Sequence, residues 1–425
     1  MSNVSVIVGL QWGDEGKGRV SHFISDDAIC IRSTGGNNAG HTVVANGQKF
    51  ALHLLPASII KPNTISVLAP GVVIDLNVLS EEIKTLKKAG IEITPDRLVI
   101  SPRAHVIFPY HIEMDKFHEE SKGSNKIGTT LRGIGPCYSD KVNRIGLRMD
   151  DLLNCTNQQA FRKIQHSSQI VNRLTSNKPF KSAIDYWILN RPALLPYIRD
   201  EREVIFPALK EGKKINIEGA QSLYLDLDHG DYPYVTSSNP STSGTIAAAG
   251  IGPKYIKEVY GIMKAYCSRV GEGPFNTELS NEIGDLIREL GHEYGTTTNR
   301  PRRCGWLDLV RLKNAIPING VTALCLNHLD TIGKVGLQVG YINVCTSYFY
   351  TYKGENRNID YVPVHSESCN PIYHRFEGGW DTTGCKTYED LPKKAKEFIK
   401  FIEDYVEVPV KFIGIGPDEK DTIVR

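Results

Sequence analysis

Asp14 and Lys17 stand among glycines at 9, 13, 16 and 18, where the run Val4 to Val8 passes into Gly-Leu-Gln-Trp-Gly-Asp-Glu-Gly-Lys-Gly-Arg. Glycines let the backbone turn its amides inward, and a lysine at the start of a following helix adds positive charge. That combination suits a phosphate. The spacing is not that of a Walker A loop: six residues separate Gly9 from Gly16, and Gly18 occupies the place of the hydroxyl residue. A Mg2+ ion at such phosphates needs another oxygen ligand, and Asp14 is the candidate.

Three further stretches carry chemistry. Thr34 to Thr42 is a second Gly-rich loop, and it places an imidazole at Asn38-Ala39-Gly40-His41-Thr42. Asn327-His328-Leu329-Asp330 follows an apolar run. There a carboxylate can accept both the N1–H and the 2-amino hydrogens of guanine, which adenine cannot supply together. GTP-binding proteins commonly carry Asn-Lys-x-Asp at such a turn, so His328 is a departure where lysine packs on the base. Finally, Gly295 to Trp306 holds Arg300, Arg302 and Arg303 beside Pro301 and three threonines. Arginine forks grip carboxylates and phosphates, and the hydroxyls of Thr296, Thr297 and Thr298 suit a dicarboxylate.

The elements that must position these groups are legible as alternating strands and helices. Strands are expected at Val4 to Val8, Ala28 to Ile31, Leu98 to Ser101, Lys214 to Glu218, Tyr266 to Val270, Val321 to Leu326, Leu337 to Val344 and Val410 to Ile415. Asn46-Gly47 joins Thr42 to Ala45 and Lys49 to Leu54 into a hairpin. Asp75 is a helix N-cap ahead of Leu79, Ile83 and Leu86, and Leu391 to Val406 is an amphipathic helix. Gly123 to Arg148 reads as a long aperiodic segment, either functional or disordered, and Asp150 to Glu211 as polar and helical. The expected fold is α/β with one large, mainly parallel central sheet flanked by helices, and loops at its strand ends facing one site.

Composition agrees with a local anion site. The 425 residues are 23% charged with a net charge of +2, so nothing global points to nucleic acid or to an anionic membrane. Nine cysteines are scattered without a Cys-x-x-Cys pair, which fits reduced thiols better than disulfides or zinc. No stretch reaches membrane-spanning length. A cytoplasmic protein is expected.

Gln11-Trp12-Gly13-Asp14-Glu15-Gly16-Lys17-Gly18 closely resembles the N-terminal loop of adenylosuccinate synthetases, and the resemblance extends through 35–42, 127–136, 218–221, 229–239, 295–306, 327–330 and 414–418. It implies a P-loop-like GTP-binding architecture, a single domain over 1–425 with a mostly helical insertion at about 150–212, and condensation of IMP with L-aspartate using GTP and Mg2+. By that resemblance Asp14 takes the proton from N1 of IMP, His41 acts as acid, and Asp14 with the Gly40 carbonyl binds Mg2+. GTP would lie against Gly13, Asp14, Glu15, Gly16, Lys17, Gly18, Arg19, Gly40, His41, Thr42, Arg302, His328, Leu329, Asp330, Gly414, Ile415 and Gly416. IMP would meet Asp14 to Lys17, Asn38, Ala39, Gly40, His41, Thr130, Gln221, Thr236 and Arg300, with Arg144 reaching in from the partner subunit of a homodimer. Aspartate would meet Thr296, Thr297, Thr298, Asn299, Arg300, Pro301 and Arg302. Asn299, where glycine is frequent, and Gly414-Ile415-Gly416, where a hydroxyl is frequent, depart from the pattern.

Two other readings are weighed. A sibling ligase that joins aspartate to a guanine nucleotide tends to lack the loop aspartate, which is present here as Asp14. A regulatory GTP-binding protein has no use for the arginine-threonine loop or for Asn38 to His41.

Overall fold

The strand Val4–Gly9 (β1) is buried along its whole length, as a β-branched run in the middle of a parallel sheet must be. This computed structural model describes residues 3–38, 40–45, 48–174, 180–295 and 300–425, of which 41–45, 48, 49, 125, 170, 172 and 180 by backbone alone. Flanking β1 in the same sheet are Ile29–Arg32 (β2), Ile65–Leu68 (β3), Leu98–Ile100 (β4), Ile215–Glu218 (β5), Ile256–Lys264 (β6), Ala323–Asn327 (β7), Val410–Gly414 (β8) and Thr422–Val424 (β9). Among the described residues these make a nine-stranded sheet in the order β9-β8-β7-β6-β1-β5-β2-β3-β4. Only β9 runs antiparallel to its neighbour. The C-terminal ends of β1, β2, β5, β6 and β7 therefore share one edge, and the loops with the chemistry leave from it.

The local elements follow from their sequences. The Lys17–Phe23 helix starts on Gly16, whose φ of 92° no other residue adopts easily. Asp75 caps the Leu76–Lys88 helix, its carboxylate accepting the Asn77 and Val78 amides. His41–Ala45 and Gln48–Leu52 pair antiparallel with Ala45 opposite Gln48; Asn46 and Gly47 lie outside the described residues. Four helices, Met149–Asn154, Asn157–Leu174, Phe180–Leu194 and Arg202–Glu211, occupy the polar stretch before β5. Ala395, Phe398, Ile399 and Ile402 of the Lys393–Val406 helix are buried.

Three expectations are corrected, and the central strand β6, which carries Lys257, Glu258 and a mid-strand glycine, is not among the expected strands. Gly261 is there because a Cβ would meet Leu10 Cδ1 at 2.6 Å. The expected strand Leu337 to Val344 is divided by Gly340 at φ 90°, which ends the Leu329–Val339 helix before the strand Tyr341–Tyr352 begins. The strand expected at Tyr266 to Val270 is only Cys267–Arg269, and it pairs with Arg303–Gly305 in a separate ribbon. The aperiodic stretch Gly123 to Arg148 contains the Ile134–Asn143 helix, which tolerates Pro136 because an N–H in the first turn has no helical partner.

Candidate functional site

The phosphate loop is tied around one buried carboxylate. Glu15 accepts the Gly13 amide at 2.8 Å, the Gln11 amide at 3.2 Å, the Lys17 ammonium at 2.6 Å and the Ser222 hydroxyl. Burial alone would raise its pKa, but Lys17, Ser222 and the Gly13 amide outweigh that and hold it below the usual carboxylate range. A Cβ on Gly9 would lie 2.7 Å from this carboxylate and 2.8 Å from Lys17 Nζ, so only glycine lets the strand end close on it. Asp14 faces the other way. Its backbone is left-handed at φ 61°, its side chain is 34% exposed, and Arg302 Nη2 lies 3.0 Å from its carboxylate.

Trp12 seats the loop. Its indole N–H donates to Asp231 at 2.8 Å, and the guanidiniums of Arg269 and Arg311 lie 5.4 and 4.9 Å from the ring centroid. Both arginines pair with the same Asp231, at 2.7 and 3.0 Å. The 229–239 loop and the phosphate loop are thereby fixed to each other.

Asp14, Gly16, Lys17, Arg19, Asn38, Gly40, Thr130, Gln221, Thr236 and Arg302 all line one cleft of about 1070 Å³. Gln221 sits at φ 51°, and both ends of its amide are buried without a partner among the described residues. Buried amides are nearly always paired, and a strained, unpaired one marks a ligand-facing side chain. Thr130 is presented by a loop that Asp115 and Glu119 hold: Asp115 accepts the Gly133 amide at 2.9 Å and the Thr129 hydroxyl at 3.2 Å, and Glu119 accepts the Gly128 amide at 2.5 Å. Behind Asn38, the buried Arg32 pairs with Glu218 at 3.6 Å and donates to the Thr34 carbonyl at 3.2 Å, fixing the second Gly-rich loop.

The 327–330 turn adjoins the cleft through the phosphate loop. Asn327 Nδ2 donates to the Glu15 carbonyl at 2.7 Å, so β7 and the phosphate loop are tied at their ends. Arg19, whose pKa burial lowers, is surrounded by the carboxylates of Asp421, Asp330, Asp418 and Glu419 and donates to the Thr422 hydroxyl at 2.8 Å. His328 opens the Leu329–Val339 helix at φ 61°, with Nδ1 3.2 Å from the Thr331 hydroxyl and 3.3 Å from that of Tyr266. Burial pushes its imidazole down to about 4, so it is neutral at neutral pH.

The structure does not bring every expected residue into the cleft lining. The Glu15 side chain is turned into the loop; Leu329 is buried; His328, Asp330, Gly414, Ile415 and Gly416 lie at the Arg19 end; Arg144 and Arg300 are exposed outside the lining, as is Pro301. Ala39, Thr296, Thr297, Thr298 and Asn299 lie outside the described residues, as do the side chains of His41 and Thr42. The lining also includes Asp115, Tyr234, Glu272, His292 and Tyr294, which the sequence did not single out. Asp115 lies in the Pro109–Ser121 helix, and the loops of the other four were marked only by neighbouring glycines and threonines.

A model of the family described as adenylosuccinate synthetase matches residues 6–423. The adenylosuccinate synthetase of Acetivibrio thermocellus is 48% identical over 429 residues, covering 99% of this chain and 99% of its own. That of Heliobacterium modesticaldum is 45% identical, covering 100% of this chain and 99% of its own. Among solved structures, the fully ligated adenylosuccinate synthetase from Plasmodium falciparum matches over 100% of both chains at 39% identity with a TM-score of 0.91. The succinoaminodeoxyadenylate synthetase of cyanophage S-2L, solved with dGMP and dATP, covers 100% of this chain and is covered over 95% of its own. At 22% identity and a TM-score of 0.62, it shares the fold alone.

Proposed function

The chain belongs to the adenylosuccinate synthetase family, which performs the GTP-dependent ligation of IMP and L-aspartate to adenylosuccinate, the first step toward AMP, and from that premise we propose a division of labour among its residues. The 6-oxo group of a purine is a poor leaving group until it is phosphorylated. Asp14 removes the N1 proton of IMP, which moves negative charge onto O6. That oxygen attacks the γ-phosphorus of GTP, and GDP departs. The amine of L-aspartate then adds at C6 of this 6-phosphoryl intermediate, and phosphate leaves with the oxygen that was O6. The observation that carries the assignment is Asp14 itself, turned out of a loop whose other carboxylate is buried, into the cleft that Asn38, Gly40, Thr130 and Gln221 also line.

The remaining roles are those the family resemblance implies. Lys17 and the amides after Gly13 face the phosphates, where fixed donors lower the barrier to transfer. His41 acts as acid from the strand that begins beside Gly40. Gln221, Thr130, Thr236 and Arg300 hold IMP; Arg302 and the 296–301 loop receive aspartate; Asp330 reads guanine beside Gly414 to Gly416. Asp14 and the Gly40 carbonyl suit Mg2+, which favours few protein oxygens and takes the rest from substrate phosphates. When bound, the ion neutralises charge on the phosphoryl group. Arg144, exposed at the end of the Ile134–Asn143 helix, serves the cleft of a partner subunit in a homodimer. We read the whole chain as one domain with the helices of about 150–212 inserted, working in the cytoplasm.

An isotope experiment tests this chemistry. With IMP carrying a heavy oxygen isotope at position 6, the label is expected in the released phosphate and nowhere in adenylosuccinate. Phosphate without label would exclude attack by O6.

A further inference from the structure

Beneath the arginine loop lies a buried charged cluster that the division of labour above leaves unused. Glu293, 1% exposed, accepts the ammonium of the fully buried Lys264 at 2.7 Å and the Tyr266 hydroxyl at 2.6 Å on one oxygen. Its other oxygen accepts Arg302 Nη1 at 2.7 Å. The backbone repeats the tie, with the Arg302 amide donating to the Glu293 carbonyl at 2.9 Å, and Arg288 Nε donating to the Arg302 carbonyl at 2.8 Å. The opposite end of the same guanidinium, Nη2, lies 3.0 Å from Asp14. Gln11 joins this cluster to the phosphate loop: its amide nitrogen donates to the Tyr266 carbonyl at 2.9 Å, and its oxygen accepts the Lys264 amide at 3.0 Å.

Burying two cations and a carboxylate costs desolvation that apolar side chains of the same size would not incur. Stability therefore does not account for the cluster. What it does is hold one end of a fork. An arginine free to turn would close both nitrogens on Asp14 bidentately and keep the base neutralised. With Nη1 held by Glu293, only Nη2 reaches Asp14, and a single ion-pair contact is readily exchanged for the carboxylate of an incoming ligand.

We propose that Glu293, supported by Lys264 and Tyr266, is a positioning residue for the aspartate half of the reaction: it aims Arg302 so that Nη2 passes from Asp14 to a carboxylate of L-aspartate. This rests on the reading of Arg302 as an aspartate-receiving residue. Burial would raise the Glu293 pKa, yet Lys264 and Arg302 outweigh it and hold the carboxyl well below its usual range, so the group stays charged through the working pH.

Steady-state kinetics of the full chain separate the possibilities. Glu293→Gln is expected to raise KM for L-aspartate about tenfold or more and to leave KM for IMP and for GTP within about twofold; Glu293→Asp, which keeps the charge but retracts it, raises KM for L-aspartate by only about threefold. Parallel rises in all three KM values, or no rise for L-aspartate, overturn the proposal. Should Glu293→Gln not fold, Glu293→Asp decides alone, by a selective rise or by none. An Arg302→Ala enzyme with an unaltered KM for L-aspartate sinks the reading of Arg302 and the proposal with it. An altered KM in Arg302→Ala beside an unaltered one in Glu293→Gln sinks the proposal alone.

Discussion

Glu15 and Asp14 are adjacent carboxylates with opposite surroundings, and the difference comes from one backbone angle. The left-handed φ of 61° at Asp14 swings its side chain to the cleft, while Glu15 turns inward to four donors. Residue types alone did not separate them, so the sequence reading placed both against ligands. Gln221 is the converse case: the sequence reading places it against IMP, and its amide has neither end satisfied among the described residues. Gln221→Met keeps its length and removes both polar atoms. We expect KM for IMP to rise about tenfold, with thermal stability unchanged or raised because an unpaired buried amide is lost. Initial rates at varied IMP, with melting curves alongside, check both halves, and an unchanged KM removes Gln221 from the purine site.

At the scale of elements, the turn after β7, the loop after β8 and the phosphate loop interlock. A Cβ on Gly414 would lie 2.5 Å from Asn327 Oδ1 and 2.6 Å from Arg19 Nη1. Gly414→Ala must therefore displace Asn327, which ties β7 to the Glu15 carbonyl, or Arg19. KM for GTP is expected to rise about tenfold while KM for L-aspartate holds; equal KM values for GTP in variant and wild type would contradict the interlock. The sequence located these strand-end loops because glycine and polar residues interrupt apolar runs there. It failed where a glycine serves packing within a strand, as Gly261 does in β6, and where Gly133 and Pro136 open a helix that looks like loop. The same residue types break one element and start another, and only tertiary contact decides which.

Across the whole molecule, buried histidines make stability depend on pH. Burial pushes His105 and His328 to about 4 and lowers His22 and His111 as well. Unfolded imidazoles titrate near ~6.5, so between about 6.5 and 4 the unfolded chain takes up protons that the folded chain refuses. This contribution is complete above that window and is lost as pH falls through it. His328→Asn accepts the left-handed backbone, and its loss of unfolding free energy between about pH 7.5 and pH 5 should be on the order of 2 kcal/mol smaller than that of the wild type. Urea unfolding at the two pH values measures it, and equal losses would show that His328 titrates normally. The division of labour proposed above makes the ligation turn on removal of the purine proton by Asp14. The most direct measurement is adenylosuccinate formation by a folded Asp14→Asn enzyme with IMP, GTP, Mg2+ and L-aspartate saturating. We predict a fall of at least about a hundredfold in kcat, whereas formation at a rate near that of the wild type contradicts Asp14 as the base.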